Sequence, residues 1–167
     1  MALLAEEIVQ EWLNRQGFFT MRGVRLGHNE VDLLAVGQME GGVVCRHVEV
    51  QVSFDPINYI SGSRKVGKKY QLDKPADVRA WVERKYGLDK TLQMRQSLWA
   101  GEWTRELVVH NLRKNDEAEL KLIEGEGVII HRFGQVVQEL RKDHFRVKKA
   151  GGSNLIDLLL RTAKDEL

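Results

Sequence analysis

Residues 43–53 read Val43-Val44-Cys45-Arg46-His47-Val48-Glu49-Val50-Gln51-Val52-Ser53. Side chains of an extended chain alternate between two faces. Val44, Val48, Val50 and Val52 therefore make one apolar face, interrupted only by Arg46, while Cys45, His47, Glu49, Gln51 and Ser53 make the other. A half-buried strand ordinarily turns its polar face to water. Here the neighbouring segment changes that expectation. Glu30 to Val36 (Glu-Val-Asp-Leu-Leu-Ala-Val) is a second strand that places Glu30 and Asp32 on one face and ends at Gly37. The pair Gly41-Gly42 turns the chain from one strand into the other, and Phe18 to Val24 supplies an earlier strand before the turn at Gly27-His28-Asn29. Three strands in such close succession predict an antiparallel meander. Within it, carboxylates at Asp32 and Glu49 on adjacent strands can converge, and two carboxylates with water are what a hard divalent cation takes.

Working outward, residues 2–16 have helical periodicity, with Leu4, Ala5, Ile8, Val9, Trp12 and Leu13 on one arc, and Gly17 stops the helix. Glu6 lies at the edge of that arc and Glu7 well outside it, so Glu6 is the helix carboxylate able to look toward the sheet. After Asp55-Pro56 the pattern breaks, and residues 61–70, rich in Gly, Ser and Lys, read as a loop. Ala76 to Tyr86 is a helix with Val78, Trp81, Val82 and Tyr86 on one face, while residues 87–104 carry no clear pattern. A fourth strand spans Glu106 to Leu112. Asn115 or Asp116 caps a helix through Glu124, a strand follows at Val128 to His131, and Gly134 to Lys142 is helical. Ser153 caps a last helix through Ala163. The fold class is α/β in one domain over residues 1–167, with a core about 1–112 and a C-terminal extension about 113–167.

The 167 residues carry 26 Lys+Arg against 24 Asp+Glu, a net charge of +2 that conceals a strong asymmetry. Residues 1–60 hold four basic and eight acidic groups, and residues 61–95 hold ten basic and four acidic. The acidic block contains the proposed ligands and the basic block follows it directly. With 43% hydrophobic and 30% charged residues the chain can bury a core. No apolar run approaches the roughly 18 residues of a membrane span. The single cysteine, Cys45, excludes an internal disulfide and a cysteine-based zinc site, and a lone thiol fits a cytoplasmic setting. The start lacks the basic region of a signal peptide, so the terminal Lys164-Asp165-Glu166-Leu167 reads as the end of a charged helix rather than a retention tag.

The pattern Gly27-x-x-Glu30-Val31-Asp32-Leu33-Leu34 followed by His47-Val48-Glu49-Val50-Gln51 resembles the core of the PD-(D/E)XK nuclease superfamily, whose fold is restriction-endonuclease-like. Within it the likeness is to small archaeal Holliday-junction resolvases and their bacterial relatives. These share an N-terminal helix that carries a glutamate and ends in Gly-aromatic, as Gln16-Gly17-Phe18 does here. The resemblance covers residues 1–55 and, more loosely, continues through Leu112. It implies a metal-dependent DNA endonuclease using Mg²⁺ or Mn²⁺, with branched DNA of recombination and repair as a substrate class. It also implies that Glu6, Asp32 and Glu49 hold the metal together with the backbone carbonyl of Val50, and that Glu30 adds a supporting contact.

The third motif position, usually lysine, is Gln51. A neutral amide can orient a water but cannot stabilise developing phosphate charge. Three outcomes stay open: Gln51 orients the nucleophile, a lysine such as Lys65, Lys68 or Lys69 substitutes, or catalysis is lost. The last defines the alternative function, a catalytically inactive nuclease-fold module that binds DNA or a protein partner. Arg64, Lys65, Lys68, Lys69 and Tyr70 combine phosphate-neutralising charge with an aromatic ring, the composition of a DNA-binding segment. His28 and His47 read as hydrogen-bonded bystanders of the site, and Trp99 and Trp103 as buried rather than base-stacking. A homodimer is expected only by analogy with enzymes that cut both strands.

Overall fold

The computed structural model describes residues 2–27, 29–52, 64–66, 69–71, 74–110 and 116–144. Helix α1 (Ala2–Arg15) leads into strands β1 (Phe19–Leu26), β2 (Asn29–Met39) and β3 (Gly42–Gln51). These pair antiparallel in sequence order, the meander that the alternation predicts. A hairpin of β4 (Arg64–Val66) and β5 (Lys69–Gln71) follows, then α2 (Lys74–Val82), a π-helical turn (Glu83–Gly87) and α3 (Asp89–Leu98). Strand β6 (Trp103–Val109) returns parallel to β3. Helix α4 (Asp116–Gly125) crosses over to β7 (Val128–Arg132), parallel to β6, and α5 (Phe133–His144) closes the described chain. The main sheet has the order β1-β2-β3-β6-β7. The fold is α/β, with the expected succession of helix, three-strand meander, helix and strand at its core.

Two apolar layers sandwich the sheet. On one face, Ala5, Val9, Trp12 and Leu13 of α1 and Val136 and Leu140 of α5 pack on Leu33, Ala35, Val48, Val50 and Val108. On the other, Val78, Trp81 and Val82 of α2, Tyr86 of the π turn, and Leu120 and Ile123 of α4 pack on Leu107, Val109 and Val128. Fully burying one such aliphatic or aromatic side chain contributes about 1.5–3 kcal/mol. Strand β3 lies at the centre of this sandwich, so its polar face is covered as completely as its apolar one: Cys45, His47 and Glu49 are all buried. Of the residues expected as a C-terminal extension, the described ones join the same sheet and core: β7 forms a sheet edge and α5 packs with α1.

Several local expectations need correction. Residues 64–71 hold the β4–β5 hairpin, in register Arg64 to Gln71, Lys65 to Tyr70 and Val66 to Lys69, where the composition predicts a loop. Gly37 does not end β2, which continues to Met39 with Gly37 paired to Val44. The glycine serves close approach instead: a Cβ there would lie 2.8 Å from the Phe18 ring, so this strand position admits no side chain. The patternless residues 87–104 contain α3. Trp99 at its end is 44% exposed, not buried, and Trp103 donates its indole N–H to the Trp99 carbonyl at 3.2 Å. Gly17, with φ of +90°, ends α1 as expected of a residue in the left-handed region. Leu112, Asn115 and the helix expected from Ser153 to Ala163 lie outside the described residues, as does His28.

Candidate active site

The end of the β2–β3 ladder creates the site. The last paired residues are Leu33 and Val48, and one step further stand Asp32 and Glu49. There the strands part, and the Asp32 carboxylate takes the place of a strand partner by accepting the Val50 N–H through Oδ2 at 2.8 Å. In a strand the N–H and C=O of one residue point to the same side. The Val50 carbonyl is therefore directed toward the same edge as Asp32.

Glu49 is 0% exposed, and its Oε2, which makes no hydrogen bond among the described residues, is met only by a charge. Its Oε1 lies 3.1 Å from His47 Nε2, and its Oε2 makes an ion pair with Lys85 Nζ. His47 in turn has its Nδ1 3.5 Å from Arg95 Nη1, and Arg95 donates through Nη2 to the Tyr86 carbonyl at 3.0 Å. Burial, against the opposing pull of Glu49, lowers the His47 pKa below the usual imidazole value. A neutral ring with its proton on Nε2 then donates to Glu49 and offers Nδ1 to Arg95. The result is a chain, Arg95–His47–Glu49–Lys85, drawn from α3, β3 and the π turn and buried except at its Lys85 end.

The carboxylates feel one another. Burial first, and then the charge of Glu49 and more weakly that of Glu6, raise the Asp32 pKa to about 7, against the lowering effects of the Val50 hydrogen bond and Lys85. Glu6, 7% exposed on α1, has its pKa raised by burial, with Arg22 opposing and Glu30, Glu49 and Glu7 reinforcing the rise. Glu7, one residue on, pairs with Arg22 at 3.0 Å and is more exposed. Glu30 is exposed, pairs with Arg25 at 3.6 Å, and contributes its charge to Glu6 rather than a hydrogen bond to Asp32. Gln51 ends β3 on the Glu49 face, half-buried, with its backbone carbonyl accepting the His110 N–H at 3.3 Å.

An all-oxygen set with surplus negative charge suits a hard divalent cation. Among the described residues, however, no three His, Cys, Asp or Glu side chains converge as a group able to hold a metal ion. The oxygens gathered at this strand end are the Asp32 and Glu49 carboxylates and the Val50 carbonyl, and Glu6 acts on Asp32 at longer range through its charge. The side chains of Arg64, Lys65, Lys69 and Tyr70 lie outside the described residues, and so does Lys68 entirely.

Lys85 and Arg95 are the site residues that reading the sequence missed. Lys85 did leave a signal. It stands three residues after Val82 and seven after Val78, inside the apolar arc of its helix, where a lysine is out of place unless it has a buried partner. The π turn is a second signal, visible only in three dimensions, since such turns are often found at functional sites.

No protein-family model matches the chain, and none of the curated proteins does. Among solved structures the chain is similar to a protein of unknown function, AF1548, at 14% identity and a TM-score of 0.44, over 77% of this chain and 56% of that one. It is also similar to a repair endonuclease from Pyrococcus abyssi, at 14% identity and a TM-score of 0.41, over 78% of this chain and 45% of that one. The matched regions span about half the length of both structures. No helix among the described residues is long and apolar enough to cross a membrane.

Proposed function

We propose that the protein is a metal-dependent DNA endonuclease of the PD-(D/E)XK type. The observation that carries this reading is the pair of mutually repelling carboxylates, half-buried Asp32 and fully buried Glu49, at the point where β2 and β3 separate. Placing two like charges in a low-dielectric site is unfavourable, and Lys85 pairs with only one of the two, so a divalent cation would relieve the other. Bound by Asp32, Glu49 and the Val50 carbonyl, Mg²⁺ or Mn²⁺ would supply an acidified water and polarise the scissile phosphate. Asp32 is aligned for that role by the Val50 N–H, and Glu49 by His47. Gln51 follows on the same face, where its amide can orient a water. The basic residues Arg64, Lys65, Lys68 and Lys69, with Tyr70, would grip the DNA backbone in this reading. Branched DNA of recombination or repair is the substrate class to try first.

A specific observation keeps the non-catalytic reading in view: both Glu49 oxygens are already engaged, by His47 and Lys85. In that reading the fold binds DNA or a protein partner and the ion pairs only stabilise it. One experiment separates the two. Plasmid, branched and single-stranded DNA are incubated with protein and Mg²⁺ or Mn²⁺, and the wild type is compared with Asp32→Asn. Cleavage that depends on the metal and disappears with Asp32→Asn supports the nuclease. Salt-sensitive binding without cleavage, indifferent to Asp32→Asn, supports the module.

A further inference from the structure

The two oxygens of Glu49 are held by partners of different character. His47 is 0% exposed and backed by Arg95, so its grip on Oε1 is fixed by packing. Lys85, on Oε2, has a side chain that is 26% exposed, sits on a single irregular turn and carries its charge on a four-carbon stem with many rotamers. A divalent cation reaching this site meets one oxygen already committed and another guarded by a cation that can leave. Gln51 meanwhile occupies the position where the resembling nucleases carry their lysine, so a phosphate at the site has no ammonium from β3.

We infer that Lys85 is an exchangeable counter-ion: it neutralises Glu49 Oε2 until a divalent cation takes that oxygen, and the released ammonium then turns to the phosphate of the bound strand. The inference rests on the nuclease reading, its first half on the metal site and its second on DNA as the substrate. Exchange keeps the buried carboxylate compensated in both states, avoiding the cost of a lone buried charge. It also delivers a positive charge to the phosphate only when the metal is in place, which couples metal loading to substrate engagement. Lys85 is accordingly assigned the task that Gln51 cannot perform.

The test begins with the wild-type protein, free of DNA. Acylation of Lys85 by an amine-reactive reagent, followed by peptide mass spectrometry, is expected to rise severalfold on adding saturating Mg²⁺. Unchanged or reduced labelling overturns the exchange. Lys85→Gln is expected to bind Mn²⁺ about tenfold more tightly than the wild type, since the competing cation is gone; weaker binding overturns the inference. In single-turnover cleavage of branched DNA at saturating Mn²⁺, Lys85→Gln should lose roughly a hundredfold. Adding Gln51→Lys in the same chain should restore at least tenfold. If the wild type cuts DNA in an Asp32-dependent way but Lys85→Gln cuts equally well, the inference fails and the nuclease reading survives. If Mg²⁺ releases Lys85 yet no DNA is cut, the nuclease reading fails and with it the assignment to phosphate. If neither Mg²⁺ nor Mn²⁺ binds, both fail.

Discussion

The Asp32 carboxylate accepts the backbone N–H of Val50 at 2.8 Å, one residue beyond the last pair of the β2–β3 ladder. This hydrogen bond does two things at once. It satisfies a strand N–H that has no neighbouring strand to bond, and it fixes a carboxylate whose pKa, raised chiefly by burial and then by Glu49, stands at about 7.

Folding stability should follow the Asp32 proton. The Asp32 pKa is raised from 3.8 to about 7 on folding, so the native state holds this proton more tightly than the unfolded chain. The associated stability is present below pH 3.8 and is lost as pH rises through about 7. Asparagine keeps the acceptor oxygen and removes the charge. In EDTA, Asp32→Asn is therefore expected to exceed the wild type in stability at pH 8 by up to a few kcal/mol, with the gap closing at pH 4. Urea midpoints at the two pH values check this, and a gap independent of pH contradicts it.

Metal affinity should depend on the same proton. If Asp32 is a ligand, the cation competes with a proton whose pKa is about 7. Calorimetric titration with Mn²⁺ should show affinity roughly flat above that pH and falling by about tenfold per unit below it. Affinity unchanged between pH 5 and pH 8 would remove Asp32 from the site.

On the other face of β3, Arg46 and Glu106 form a bidentate pair at 2.7 and 2.5 Å. Arg46 lies over the rings of Trp12 and Phe18 at 5.0 and 5.1 Å and donates to Gln16 at 3.0 Å. Burial alone would raise the Glu106 pKa, but hydrogen bonds from His131, Arg46 and Thr104 and the charge of Arg46 outweigh it and hold the group at about 2. A depressed carboxylate contributes stability above its unfolded value of 4.5 that is lost as pH falls through about 2. Glu106→Ala leaves the buried guanidinium without its main partner and should cost about 3–5 kcal/mol. The double variant Arg46→Met with Glu106→Leu should regain most of that. Urea denaturation at neutral pH measures both, and equal losses in the single and double variants would show that the pair is not the cause.

The basic segment after β3 should govern DNA affinity. Under the nuclease reading, Lys65→Ala combined with Lys69→Ala should weaken binding to DNA of any sequence. The slope of log affinity against log salt should fall by about 1 for each phosphate that is no longer neutralised. Binding is measured in Ca²⁺ across a range of salt. A salt slope equal to the wild-type value would place the DNA elsewhere.

Much of this architecture was legible in the order of residues, because it depends on local periodicity. The arc of Leu4, Ile8 and Trp12 predicted α1 and left Glu6 at its inner edge, where burial now places it. Alternation in residues 30–36 and 43–52 predicted β2 and β3 and the shared face of Asp32 and Glu49. Where the sequence misled, long-range packing was the reason. Gly37 punctuates a sequence but in the fold makes room for Phe18, and Trp99, apolar enough to expect in the core, ends its helix in solvent.

The sequence by itself determined α1, the β1–β3 meander and the carboxylates they carry, since spacing along a strand or helix decides which side chains share a face. Only the tertiary structure decided what surrounds them. That β3 is covered on its polar side as well follows from the π turn and α3, whose Tyr86, Lys85 and Arg95 lie against His47 and Glu49, which no periodicity within residues 43–53 encodes. The cation on Glu49 is Lys85, which lies beyond the 64–70 stretch that holds Lys65, Lys68 and Lys69. A partner so distant in sequence is chosen by helix packing and one π turn, and that choice is made in space rather than along the chain.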